Sequence, residues 1–268
     1  MVGKRTHILL TSYEEDRLAA GLEEWAVDKV IIVYNKNPLP KHQSAAKETR
    51  EIAKKLVESK TNVFNKAGGI EEVGLDFYHF KEATVGLYEI LYREKLLGNE
   101  VFINISGGTR PAAIASIFAC ALCGVGNPIY FFAEGYNKKT TGSGNFIPAS
   151  VGVDKSVHTV EMLDTLFNLQ STIPSRTEEV EILLALSSVG GNYSSLSQIL
   201  ERIGVEKPFG KRQAIKQQVI SKYYRSVVSL ESRKFIERNR KRMKLTLMGT
   251  VAADILKARK NVEEDLSD

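Results

Sequence analysis

Val101-Phe102-Ile103-Asn104-Ile105-Ser106-Gly107-Gly108-Thr109-Arg110-Pro111 is the stretch on which the fold turns. Its first half is an apolar, β-branched run of strand type, and its second half is polar and glycine-bearing. An apolar run over 111–122 follows at once, with Pro111 acceptable in a first helical turn because its missing N–H is not needed there. Strand, tight glycine turn, helix is the expected order. The glycine pair has two readings: a tight turn and nothing more, or a cradle in which backbone N–H groups and the positive end of a helix meet a phosphate. Ser106 and Thr109 add hydroxyl donors and Arg110 a fixed cation, which favours a phosphate-bearing guest.

Working outward, runs at 7–11 (HILLT) and 29–34 (KVIIVY) read as strands around an amphipathic segment at 14–25. Helical patterns at 42–59 and 81–97, extended segments at 75–80 (LDFYHF) and 101–106, and a strand at 129–133 (IYFFA) complete an alternation of strands and helices. Such alternation predicts a mostly parallel, doubly wound α/β sheet of Rossmann type. Ligands in these sheets sit beyond the carboxyl ends of the strands where strand order reverses. At the end of the first strand stand Thr11 and Ser12, and at the end of the fourth stand Ser106 to Arg110. The segment 10–18 holds no glycine, which excludes the dinucleotide fingerprint of dehydrogenases, and no Gly-Lys-Ser/Thr follows Gly107-Gly108, which excludes a Walker A loop.

A chain of 268 residues, 43% hydrophobic and 26% charged, accommodates two domains with real cores. No apolar run approaches the roughly 18 residues needed to span a bilayer, and the start lacks signal-peptide character, so a cytoplasmic, non-membrane protein is expected. Cys120 and Cys123 fall within the apolar run and read as small core residues. The four histidines, His7, His42, His79 and His158, fall in separate elements, so no metal site is expected.

The polar, proline-bearing segment 170–177 (QSTIPSRT) reads as a linker between a domain at 1–169 and a second at 178–260, with an acidic tail at 261–268. The second domain opens with an amphipathic helix at 178–188. Gly190-Gly191 breaks it, Ser194 or Ser195 caps another helix that Gly204 stops, and a third spans 211–230. Two extended runs flank Asn239-Arg240-Lys241-Arg242, and a last helix starts near Met248. Net charge is +5, yet 206–244 holds thirteen basic and three acidic residues, or +10, leaving −5 on the remainder. Helix, helix, basic helix, basic hairpin, helix is the order of a winged helix-turn-helix. Its DNA-facing candidates are Lys211, Arg212, Lys216, Gln217, Lys222 and Arg225 on the helix and Arg238, Arg240, Lys241 and Arg242 on the hairpin.

With Asn104-to-Pro111 after the fourth strand, Thr11-Ser12 after the first, and the pattern ending in Leu245-Thr246-Leu247-Met248-Gly249, the sequence resembles the CRISPR-associated Rossmann fold (CARF) regulators with a C-terminal winged helix, of the archaeal transcription-regulator type. The resemblance covers almost the whole chain. It implies a homodimer whose sensor domains bind a cyclic oligoadenylate across the two-fold axis, the four-membered ring favoured, through Thr11, Ser12, Ser106, Gly107, Gly108, Thr109 and Arg110. It further implies that ligand alters affinity for double-stranded DNA. Two alternatives stand beside it: a metal-independent ring nuclease using Ser106, Thr109, Arg110 or Ser12, and a regulator of the same build sensing another nucleotide or anion. No cofactor is expected.

Overall fold

The computed structural model describes residues 3–19, 21–22, 27–60, 69–133, 139–140, 146–147, 155–160, 167–190, 193–205 and 213–267. The chain divides into two units, Met1–Asn168 and Leu169–Asp268.

The first unit is a Rossmann-like α/β domain. Its elements are β1 (Arg5–Leu10), α1 (Glu15–Ala19), β2 (Lys29–Asn35), α2 (Gln43–Ser59), β3 (Ile70–Leu75), α3 (Phe80–Leu96), β4 (Glu100–Asn104), α4 (Arg110–Cys123), β5 (Asn127–Ala133), the short strands β6 (Lys139–Thr140) and β7 (Phe146–Ile147), and β8 (Lys155–Thr159). The main sheet runs β3-β2-β1-β4-β5-β8, the first five parallel and β8 antiparallel to β5. Strands β1 and β2 are buried on both faces, which is why they read as continuous apolar runs; Ile8, Leu9, Leu10, Ile31, Ile32 and Val33 are all buried. On one face Leu18 of α1 and Ala53 and Val57 of α2 close over Leu9, Val30 and Ile32. The helices α3 and α4 pack on each other, and the right-handed crossovers usual between parallel strands would place them on the opposite face. Cys120 and Cys123 are buried in α4, and burial pushes the Cys120 thiol far above its ordinary pKa, so it is no ready thiolate.

The elements differ from expectation in several places. The third strand is at 70–75 rather than 75–80, because Glu71 and Glu72, which hide the strand pattern, are neutralised: Lys29 Nζ lies 2.8 Å from Glu71, and Arg50 Nε and Lys54 Nζ lie 2.5 and 2.7 Å from Glu72. The aromatic stretch after Leu75 turns instead into α3, with Asp76 Oδ1 accepting from the Tyr78 N–H at 3.0 Å. The strand β8 and the β6–β7 hairpin carry no signal that the sequence pattern catches. Part of the first expected helix, 23–26, lies outside the described residues.

At the amino ends of the strands a polar cluster is closed off from water. The carboxylate of Glu94, fully buried on α3, accepts from Thr6 Oγ1 at 2.7 Å, Lys29 Nζ at 2.8 Å and Asn99 Nδ2 at 2.8 Å. Burial alone would raise the Glu94 pKa, but these three hydrogen bonds and the Lys29 charge outweigh it and hold the group below the ordinary carboxylate range.

His7, on β1 and 1% exposed, stacks on Phe102 with ring centroids 5.0 Å apart. Burial and the nearby Arg5 charge lower its pKa to about 4. The unfolded chain titrates this imidazole near ~6.5, so below that pH it binds the proton that the folded unit refuses. Stability is therefore complete above about pH 6.5 and falls as pH drops toward 4, by about 2 kcal/mol at about pH 5. Urea unfolding at about pH 7.5 and about pH 5 should show this loss in the wild type, and His7→Leu should remove most of it.

The second unit comprises α5 (Thr177–Ser187), β9 (Ser194–Ser195), α6 (Leu196–Arg202), α7 (Gln213–Ser232), β10 (Ile236–Asn239), β11 (Arg242–Leu245) and α8 (Leu247–Asp265). A three-stranded antiparallel sheet of order β10-β11-β9 sits beside the helices. Ser195 caps α6 in a capping box with Gln198, resolving the choice between Ser194 and Ser195. Ile182, Leu183, Leu186, Ile199, Val227, Leu230, Phe235, Met243 and Ile255 form its core. Within the segment expected as a linker, residues 170–172 are in a 3-10 helix (Phe167–Thr172) and Ile173 is buried. The expected tail is helical to Asp265, with Val262 fully buried in α8. Among the described residues no helix is long and apolar enough to cross a membrane.

Candidate functional site

Strand order reverses between β1 and β4, and the sheet's carboxyl edge opens there into a cleft of about 240 Å³. Five segments supply it: Thr11, Ser12 and Tyr13 after β1; Asn35 and Pro38 after β2; His42, Ala45, Ala46 and Thr49 around the start of α2; Phe77 and Tyr78 after β3; and Gly108 and Thr109 after β4. Four of the seven residues expected to bind ligand therefore line it, whereas Ser106, Gly107 and Arg110 do not.

The β4–α4 loop is held tightly against the end of β1. Gly108 adopts φ +70° and donates its N–H to the Thr11 carbonyl at 2.9 Å. Gly107 packs so closely that a Cβ there would lie 2.0 Å from the Leu10 carbonyl oxygen. Asn104 secures the loop from below, donating Nδ2 to the Arg17 carbonyl at 2.6 Å and accepting the Ser106 N–H at 2.9 Å. The Ser106 hydroxyl accepts the Phe131 N–H at 2.5 Å, tying the loop to β5. Thr109 caps α4, accepting the Ala112 N–H at 3.4 Å and donating to the Phe77 carbonyl at 3.3 Å. Arg110 is exposed, with no acidic partner among the described residues. Of the expected hydroxyl donors, Ser106 and Thr109 thus spend part of their capacity in building the loop.

A second network holds the far side of the cleft. Asn35 Oδ1 accepts the Asn37 N–H at 3.3 Å and the Phe77 N–H at 3.4 Å. Asp76, almost fully buried, accepts from Asn37 Nδ2 at 3.1 Å, from His79 Nδ1 at 2.8 Å and from the Tyr78 N–H. Burial would raise the Asp76 pKa, but these bonds and the His79 charge lower it, while the same contact with Asp76 raises that of the exposed His79. Of these residues only His79 figured in the sequence reading, as one of four histidines in separate elements, and 75–80 reads there as an extended segment, which hides the turn.

The four histidines lie in separate elements, but one of them has carboxylate neighbours. His79 lies with Asp76 and Glu82, their ligand-type atoms within 4.8 Å of one another, at the turn into α3. Asp76 is already engaged by Asn37 and His79, and Glu82 is exposed, so the group reads as a turn-stabilising cluster. His42 lines the cleft, His7 is a packing residue, and the side chain of His158 lies outside the described residues.

In the second unit the expected DNA-facing cations divide. Lys222 pairs with Glu178 on α5, and Arg238 lies 3.2 Å from Glu231. Arg225, Arg240, Lys241 and Arg242 are exposed and form no ion pair with the described residues. Lys211 and Arg212 lie outside the described residues, as do the side chains of Lys216 and Gln217 within α7. The β10–β11 hairpin closes through a two-residue turn, Arg240-Lys241, between the paired residues Asn239 and Arg242. Arg240 takes φ +55°, a left-handed conformation that a side chain rarely adopts.

The domain thus belongs by construction to the doubly wound α/β class, with its cleft at the switch point. Residues 5–136 match the family model described as HFX_2341_N-like, N-terminal. Among solved structures, Can2 from Sulfobacillus thermosulfidooxidans in complex with cyclic tetra-adenylate is similar at 14% identity and a TM-score of 0.33, over 98% of this chain and 65% of that one. Protein VC1899 from Vibrio cholerae is similar at 9% identity and a TM-score of 0.35, over 98% of this chain and 69% of that one. The chain therefore spans about two thirds of the length of these structures. No curated protein matches its sequence.

Proposed function

We propose that this chain is a ligand-responsive, DNA-binding transcription regulator: a CARF-type sensor of a cyclic oligoadenylate, cyclic tetra-adenylate favoured, followed by a winged helix. The observation that carries the reading is the division of chemistry between the two units. The first offers a switch-point cleft with a glycine loop at a helix start, and the second Arg225 on a helix and Arg240, Lys241 and Arg242 at a hairpin, all exposed and without an ion pair to the described residues. Thr11, Ser12, Gly108 and Thr109 would meet the ligand inside the cleft, with Arg110 reaching its phosphates from the rim and Ser106 and Gly107 setting the loop. In the second unit α7 would enter the major groove and Arg240 to Arg242 would contact phosphate.

The homodimer in this reading is supported by α4, which carries no charged residue from 111 to 123 although it exposes Ile114 and Phe118, the latter edge-on to exposed Phe80 at 5.7 Å. A helix apolar all round is covered on all sides. Pairing two copies along this face would bring together two β4–α4 loops and two Arg110 side chains, a two-fold receptor for a ring with its own symmetry.

Calorimetric titration with cyclic tri-, tetra- and hexa-adenylate, with linear adenylates as controls, tests the sensor. One ring per two chains is the expected stoichiometry, and Arg110→Ala should weaken ring binding while leaving DNA binding intact. Failure of every ring to bind would remove the sensor assignment. DNA affinity that does not fall with salt would remove the winged-helix assignment.

A further inference from the structure

We infer that the part of the cleft lying over β2 and β3 is a slot for a purine base, read through one of its acceptor atoms by the side-chain N–H2 of Asn35. The inference rests on the proposed nucleotide ligand and assigns its base end. The cleft is chemically two-sided. At the switch point it presents the Ser12 hydroxyl and the amino end of α4 beside Thr109, groups suited to an anion, while the Gly108 N–H is already given to the Thr11 carbonyl. Toward β2 and β3 it presents Tyr78, 41% exposed, with Ala45 and Ala46 of α2, and Tyr13, 52% exposed, joins the lining from the turn after β1. Among the described residues its lining contains no aspartate, glutamate, lysine or arginine, with His42 its one basic side chain, which suits an uncharged planar group rather than a second phosphate.

Asn35 is the directional element. Its Oδ1 is occupied by two main-chain N–H groups, those of Asn37 and Phe77, so the carboxamide is fixed with oxygen toward the backbone. The group left for a guest is Nδ2, a donor, and it forms no hydrogen bond with the described residues. A donor in an aromatic-lined slot selects a ring that offers an in-plane nitrogen or carbonyl acceptor. Asp76 acts as a positioning residue: by accepting the Tyr78 N–H and holding Asn37 it fixes both the tyrosine and the loop that orients Asn35.

The test uses the full-length chain with cyclic tetra-adenylate and with rings carrying 1-deaza-, 3-deaza- or 7-deaza-adenine. Asn35→Asp keeps the two accepted N–H bonds, and so the loop, but replaces the donor by an acceptor. It should weaken binding of the natural ring by roughly tenfold to a hundredfold. One deaza ring should bind the wild type comparably weakly, and for that ring Asn35→Asp should cost markedly less than for the other two. Tyr78→Ala should weaken binding, with Tyr78→Phe restoring it. Equal losses across all rings would reduce Asn35→Asp to charge repulsion and overturn the base-reading role, as would an Asn35→Asp protein that binds like the wild type. If the wild type binds no ring, the proposed function fails separately, and the slot is judged by adenosine monophosphate and its deaza forms with the same variants; no binding there overturns it too.

Discussion

Gly107→Ala should destabilise the N-terminal unit by roughly 2–4 kcal/mol, because the added Cβ would meet backbone rather than a yielding side chain. The contact is 2.0 Å to the Leu10 carbonyl oxygen, at the end of a central strand fully buried on both faces. Relief requires the β4–α4 loop to swing away from β1, which breaks the Gly108 N–H to Thr11 carbonyl bond and shifts the cap of α4. Ligand binding should therefore fall with stability, although Gly107 itself does not line the cleft. Urea unfolding at neutral pH measures the first effect and ring titration below the unfolding transition the second. A variant as stable as the wild type would mean that the loop accommodates a side chain, and would leave the glycine pair without its steric reason.

Removing the three hairpin-tip cations, Arg240, Lys241 and Arg242, by alanine substitution should lower DNA affinity roughly a hundredfold at about 0.15 M salt and reduce the slope of log affinity against log salt by about three. The control is Arg240→Gly. Arg240 sits at φ +55° in a two-residue turn where glycine would be at ease. Glycine there should leave the second unit as stable as the wild type, or more stable by up to about 1 kcal/mol, while still costing about one unit of salt slope. Fluorescence anisotropy across a salt series on a DNA duplex, alongside urea unfolding, separates the two effects. If the triple variant binds DNA with an unchanged slope, the hairpin does not touch phosphate.

The elements that were legible in the sequence are those whose residues answer to one force. Strands β1, β2 and β4 are buried apolar runs, and Gly107-Gly108 marks the strand-to-helix turn, so the sheet and the switch point could be read directly. The strand β3 could not, because its face is satisfied by ion pairs from Lys29, Arg50 and Lys54, three residues distant in sequence. Part of the cleft was hidden for a similar reason: Asn35, the pair Ala45 and Ala46, and Tyr78 come from three separate places in the sequence, and only the parallel register of β1, β2 and β3 brings them to one edge. The basic run in the second unit was visible as a count, but not which of its members Glu178 and Glu231 already hold.

The buried cluster around Glu94 has an implication for how this domain can change. Thr6, Lys29 and Asn99 tie together the starts of β1 and β2 and the approach to β4, so cohesion is concentrated at one end of the sheet. The cleft lies at the other end, lined by five segments that include none of Thr6, Lys29, Glu94 and Asn99. A new guest could be accommodated by exchanging one loop, such as the one joining β2 to α2, without rebalancing the lock below. The two ends can diverge at different rates, and substitutions that retune the cleft should be far better tolerated than any that touch Glu94.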